Sequence, residues 1–481
     1  MLCTVATVAF GQNFTSLFSF AGADGSVPSG GALAQGVDGT FYGSTVYGGS
    51  NVSCYGPTGC GTVFEITRDG VLTTLHRFCL AQATCPDGLN PSALILATDG
   101  NFYGTTAGGG AYGEGTFFRI TRQGSLTTLY SFCAVPNCND GVEPNSVIQG
   151  IDGNFYGTTG FDGSCGNYGT VFKVTAEGKL TTLHSFCGSG DGSGPGRLVQ
   201  ATDGNFYGTT LLGGNIRCNL DYGGCGTVFK ITTRGTLTTL HTFNNGNDGE
   251  FPSGGLIQAT DGNLYGDTSA TYFTCGYPTC GTVFKISLRG TLTTLYQFCQ
   301  QNGCGDGSNP DSTLVQGTDG NLYGSTLNGG GAVECLGGCG TAFKMTLNGS
   351  LTTLHDFGSA DGSYPLTMLQ GTDGKFYGAT DEGGNACPPY GCGTIYGLDM
   401  GLGLFVTFVQ PDGKVGHVAE ILGQGFEGTT GVSFNGVPAN FKVRADTFIR
   451  ATVPPGATTG YLTVTTPSST LTSNVPFHVI P

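Results

Sequence analysis

Nineteen cysteines, a series of seven carboxylates, a series of six glutamines and four recurrent histidines are the residues here whose types could do chemistry. The carboxylates open the pattern Asp-Gly-x-x-Pro at Asp24, Asp87, Asp140, Asp191, Asp248, Asp306 and Asp361. Such oxygens suit Ca²⁺ or the hydroxyls of a glycan. The same residues make turns, with Asp bonding local backbone and Pro stiffening the connection. No Asp-x-Asp-x-Asp loop concentrates ligands, so the turn reading is preferred, no cofactor is expected, and Ca²⁺ stays open. A Gln follows each turn at Gln35, Gln149, Gln200, Gln258, Gln316 and Gln370, with Leu96 in that place once. These glutamines could line a channel, binding substrate or water, or bond one another between repeats. The second use is favoured.

The cysteines fall into registers. Cys60, Cys225, Cys280, Cys339 and Cys392 precede a Gly-Thr, and Cys54, Cys218, Cys275, Cys335 and Cys387 lie shortly upstream. Cys79/Cys85, Cys133/Cys138 and Cys299/Cys304 form another set, leaving Cys165, Cys187 and Cys3. Zinc is disfavoured, because each pair lacks an evident second pair and histidine is scarce. Nine disulfides are expected, and with them an oxidising compartment. His76, His184, His241 and His355 share one position with Tyr130 and Tyr296. Exchange of His with Tyr suggests an amphipathic strand position rather than a general base.

These residues must be positioned by a repeat. Asp-Gly-x-(Phe/Leu)-Tyr-Gly begins at Asp38, Asp99, Asp152, Asp203, Asp261, Asp319 and Asp373. Asp-Gly between apolar runs signals a hairpin, expected here as the two-residue type I′ turn. Each repeat then offers four strands, typified by Leu198–Thr202, Phe206–Thr210, Gly226–Thr232 and Leu237–Phe243. Four antiparallel strands per repeat make a blade of a β-propeller. The seventh repeat lacks its fourth strand, and residues 14–20 supply one without a preceding three. The expectation is an all-β, seven-bladed β-propeller over 12–400, closed by its N-terminal strand.

Composition narrows the partners. Lys and Arg total 18 against 33 Asp and Glu, a formal charge of −15. That balance argues against nucleic acid, whose phosphates call for a basic surface. No run suits a membrane-spanning helix. Residues 1–11 read as a shortened signal peptide ending in Ala9-Phe10-Gly11, whose removal would take Cys3 with it and leave an even cysteine count. No nucleophile elbow, zinc-protease motif or phosphate loop is present. Arg197, Arg217, Asp221 and Glu334 break the repeat without forming a set.

Residues 404–481 read as short alternating strands of an immunoglobulin-like β-sandwich. Ile421–Phe426, Val432–Gly436, Ala451–Pro454 and Gly460–Val464 resemble the IPT/TIG family, whose modules are interaction or spacer domains. Asp-Gly-Asn-Phe-Tyr-Gly-Thr-Thr, Gly-Thr-Val-Phe-Lys-Ile-Thr and Leu-Thr-Thr-Leu-His resemble the Gloeo/Verruco tandem repeat of exported bacterial proteins. That resemblance implies export and often a C-terminal surface anchor, which the sequence up to Pro481 does not show, so free secretion is favoured. It implies no activity. The function expected is non-catalytic binding or adhesion to an extracellular glycan or protein, secreted or at the cell surface. A polysaccharide lyase or hydrolase and a structural envelope component are the alternatives.

Overall fold

The computed structural model describes residues 12–30, 33–49, 54, 59–80, 84–188, 190–215, 218, 223–244, 246–269, 280–332, 334–387 and 390–480. Among them no α-helix occurs, and two single-turn 3₁₀ segments, Pro136–Cys138 and Asn302–Cys304, sit in connections. Seven antiparallel sheets repeat one order, in which consecutive strands lie side by side. In the fourth sheet Ser193–Pro195 and Val199–Gln200 pair with Phe206–Leu212, which pairs with Thr227–Ile231, which pairs with Leu237–Thr242. In the seventh, the outermost strand is Asn13–Ser19, in register with Thr394–Asp399 from Asn13↔Asp399 to Ser19↔Thr394.

Every residue of the hairpin motif has a reason to be there. The Asp203 carboxylate accepts the hydroxyl of Tyr207 at 2.9 Å, and the same bond recurs in all seven sheets, from Tyr42–Asp38 to Tyr377–Asp373. Gly208 leaves room for the next strand, since a Cβ there would lie 2.7 Å from Phe229 Cζ. The turns differ from the expected two-residue form. Gly204 N–H donates to Ala201 O and Ala201 N–H to Asn205 O, and only Gly204 has positive φ (+79°). Three residues therefore turn the chain, with glycine alone in the left-handed region, and Asp203 is free to serve Tyr207.

The Thr that opens each third strand is paired as well. Thr210 and Thr227 hydroxyls meet at 2.9 Å in the buried interior, and an equivalent Thr–Thr bond is present in each of the seven sheets. A buried hydroxyl without a partner is destabilising, so the two threonines satisfy each other.

Hydrophobic clusters form between sheets rather than within them. Tyr42, Val63 and Phe78 of the first sheet pack with Leu94, Phe102 and Phe118 of the second. The series continues sheet by sheet until Phe20, Tyr377 and Ile395 of the last meet Leu33, Phe41 and Phe64 of the first. Beyond them, two four-stranded sheets from residues 407–472 share a separate core around Ile421, Phe434, Ile449, Leu462 and Val464. They rest on the hairpin end of the large assembly, where Thr447 Oγ1 donates to Val37 O (2.7 Å) and Arg68 donates to Gln424 Oε1 (2.8 Å).

Candidate functional site: the disulfide-bearing face and the central wall

In a meander of four strands, the second-to-third loop and the link to the next sheet emerge at the end opposite the hairpins. The cysteines lie there. Disulfides join Cys54–Cys60, Cys79–Cys85, Cys133–Cys138, Cys165–Cys187, Cys218–Cys225, Cys299–Cys304, Cys335–Cys339 and Cys387–Cys392. Cys280 is also disulfide-bonded, while Cys275 and Cys3 lie outside the described residues.

The Asp-Gly-x-x-Pro carboxylates and the His/Tyr position, treated separately in the sequence, turn out to be partners. His76 Nε2 lies 3.0 Å from Asp87, His184 3.1 Å from Asp191, His241 3.0 Å from Asp248 and His355 2.8 Å from Asp361. Where Tyr replaces His, the hydroxyls of Tyr130 and Tyr296 donate to Asp140 and Asp306 at 2.7 Å. Backbone amides add to this, including Cys79 to Asp87 and Gly358 to Asp361. Burial raises the Asp361 carboxyl, but His355 and that amide outweigh it and hold it below the usual carboxylate range. Burial and the adjacent carboxylate push the Tyr130 and Tyr296 hydroxyls up. Asp24 is the exception. Its sheet offers Phe18 at the His position, and Asp24 accepts from the Ala21 amide instead. The partnership was hidden because the separation ranges from 6 residues (His355–Asp361) to 11 (His76–Asp87) with loop length.

The glutamines tie neighbouring sheets together. Gln258 Oε1 accepts from Thr202 N–H (2.8 Å) in the preceding sheet, and its Nε2 donates to Gly262 O (3.0 Å). Gln149, Gln200, Gln316 and Gln370 do the same toward Thr98, Ile151, Thr260 and Thr318. Gln35 reaches from the first sheet to Thr372 of the last. At Leu96 the link is absent, and the Val37 segment it would have met carries the Thr447 contact instead.

Three charged groups interrupt the repeat, two beside the first strands of the fourth and sixth sheets and one on the second strand of the fifth. Arg197 precedes buried Leu198, Asp311 follows Pro310, and Asp267 takes the place of the Ser or Thr after Tyr-Gly. In four other sheets that hydroxyl donates to a carbonyl of the next sheet, as Thr158 does to Gly196 O (2.9 Å) and Ser325 to Pro365 O (3.1 Å), while the seventh sheet has Ala379 there. Asp267 is 1% exposed, and neither carboxyl oxygen makes a hydrogen bond of ordinary geometry. Space for it comes from Gly254, whose Cβ would fall 2.2 Å from Oδ1. Burial, and then the charge of Asp311, raise the Asp267 carboxyl well above its ordinary value. Asp311 is also raised by burial, against the pull of Ser253 and Arg197. Burial lowers Arg197, with Asp311 opposing. The Asp311 side chain is exposed. Of the sequence-flagged departures, Arg197 belongs to this set, Glu334 is exposed on a loop, and Arg217 and Asp221 lie outside the described residues. Asp267 and Asp311 were missed, although the change of Thr to Asp after Tyr-Gly was readable.

The same end of the sheets carries exposed apolar side chains. Of eleven large exposed ones among the described residues before Leu404, nine lie at this end: Tyr47, Leu80, Tyr112, Val135, Phe161, Tyr168, Leu211, Leu336 and Tyr390. Val71 and Ile151 lie at the hairpin end.

A family model of the Gloeobacter/Verrucomicrobia repeat matches residues 4–219 and again 219–440. The chain belongs to this family. The Gloeobacter/Verrucomicrobia repeat thus accounts for most of the chain in two tandem matches. No curated protein matches it. Among solved structures, a catalytically inactive virginiamycin B lyase from Staphylococcus aureus with quinupristin is similar at a TM-score of 0.52 and 14% identity, covering 80% of this chain and 99% of the other. A gluconolactonase from Xanthomonas campestris gives 0.42 and 11%, covering 81% and 90%. At such identities the first likeness shows the fold alone, an all-β, propeller-like one.

Proposed function

We propose that the chain is an exported, disulfide-stapled seven-bladed β-propeller with a C-terminal IPT/TIG-like sandwich. It acts as a non-catalytic binding or adhesion protein for an extracellular glycan or protein, docked on the disulfide-bearing face. The observation carrying this reading is the distribution of exposed apolar groups, nine of eleven on that face. Four are tyrosines, whose rings offer an apolar surface and whose hydroxyls remain wet, as interfaces favour. Loops held on a rigid scaffold are the usual seat of binding, and here staples and Asp–His pairs hold them. Disulfides imply export, and no helix among the described residues is long and apolar enough to cross a membrane. The test is a glycan array with the full chain, repeated with Tyr112→Ala/Tyr390→Ala. At least about a tenfold loss of affinity is expected for two aromatic contacts, and unchanged binding by the variant overturns the choice of face.

A second reading, an enzyme acting on polysaccharide, is favoured by the central wall. A buried carboxyl whose pKa is raised, near a second carboxyl and a guanidinium, is the kind of set that proton transfer employs. Turnover assays on the array's hits, with Asp267→Asn and Asp311→Asn, separate the two. Turnover lost in both variants supports the enzyme, and absence of turnover in the native chain supports the binder.

A further inference from the structure

Only the first and fifth repeats carry both cysteine registers, a pair before the third strand and a pair after the fourth. In the first, the sulfurs of Cys54, Cys60, Cys79 and Cys85 all lie within 4.8 Å of one another. The second pair that zinc chemistry requires, which no reading of one loop supplies, is delivered by the fold. In the fifth sheet Cys280, Cys299 and Cys304 are gathered in the same way.

We propose that the four-sulfur cluster of the first sheet is an alternative metal site, binding a d¹⁰ ion such as Zn²⁺ as a tetrathiolate whenever its two disulfides are reduced. Zn–S bonds of about 2.3 Å place the sulfurs of a tetrahedron about 3.7 Å apart, inside the spread that the cluster already has. Three of the four cysteines are held by more than their disulfides. Asn90 N–H donates to Cys60 O, Cys79 N–H to Asp87 and Gly88 N–H to Cys85 O, so backbone bonds fix three of the four cysteines. The step balances as follows. A dithiol reductant delivers two electrons and two protons to each disulfide, giving four thiols. Zn²⁺ then displaces four protons and forms four Zn–S bonds, leaving a net charge of −2. Oxidation by a disulfide returns the staples and releases the ion. The ligand class is soft and thiophilic, which distinguishes this site from any oxygen-ligated Ca²⁺ site.

The isolated pair Cys133–Cys138 of the second sheet serves as a control within the same chain. The full-length protein is reduced, desalted without air, and alkylated with and without zinc, and each cysteine is followed by mass spectrometry. Zinc is expected to slow alkylation of Cys54, Cys60, Cys79 and Cys85 together, by about tenfold or more, and to leave Cys133 and Cys138 reactive. Cys54→Ser/Cys79→Ser is expected to lose about one bound zinc per chain. Equal alkylation of the two groups, or uptake unchanged in the variant, overturns the proposal.

Discussion

Asp361 and Asp267 are carboxylates of one chain whose folds treat them in opposite ways. Asp361 is held below its ordinary pKa, so the native state favours its ionised form. Its contribution is complete above the unfolded carboxylate value and is lost as pH falls through the folded one. The Asp361→Asn variant should therefore show a flatter acid limb, below about pH 4, in urea midpoints followed against pH. Asp267 is raised, so the native state favours its protonated form, and stability falls as pH rises through the folded value. Asp267→Thr restores the hydroxyl seen in neighbouring sheets. It should raise Tm at neutral and alkaline pH by about 1–2 °C, the shift expected of about 1 kcal/mol in a domain of this size. A lower Tm at pH 8 would refute that sign. The cluster around Asp267 was not legible beforehand, because its members sit in three repeats and only the fold brings them to one wall. His241 and Asp248 were legible singly, but their pairing depends on a loop length that varies between repeats.

At the scale of elements, the repeat itself was fully readable, since apolar alternation and turn residues recur in every copy. The type of turn was not. Asp-Gly is compatible with two- and three-residue hairpins, and the Tyr hydroxyl that selects the longer one lies four residues away. The six glutamines were expected to bond one another, but they reach backbone amides of the neighbouring sheet, which depends on how sheets stack. Each bridges to the neighbouring sheet through a backbone N–H donated to its Oε1, and in Gln258 Nε2 also holds the glutamine's own hairpin. Gln258→Leu, which copies the natural Leu96, should cost about 0.5–1 kcal/mol, the net worth of the hydrogen bond to the exposed Thr202 amide. Chemical denaturation measures this directly. A change under about 0.3 kcal/mol would mean that water satisfies that amide equally well.

For the whole molecule, most staples are short. Disulfides spanning 4 to 7 residues contribute on the order of 2 kcal/mol each in the chain-entropy model, and only Cys165–Cys187 spans 22. Stapled cysteines such as Cys60, Cys225, Cys339 and Cys392 enter five of the inter-sheet clusters, but aromatic and aliphatic side chains make up most of each, and two clusters contain no cysteine. Reduction is therefore expected to lower the thermal midpoint while leaving the far-ultraviolet strand signal intact at 25 °C. Loss of that signal on reduction alone would show that the staples, not the clusters, hold the sheets.

The register that joins the two ends of the assembly also fixes how it would yield to force. Asn13 faces Asp399, so the start of the closing strand and the exit of its partner lie at the same end of the pair. Tension applied between the N-terminus and the chain beyond Asp399 would peel this pair one hydrogen bond at a time, instead of shearing all of them at once. The direction of pull, more than the number of bonds, would decide how long such a molecule holds on.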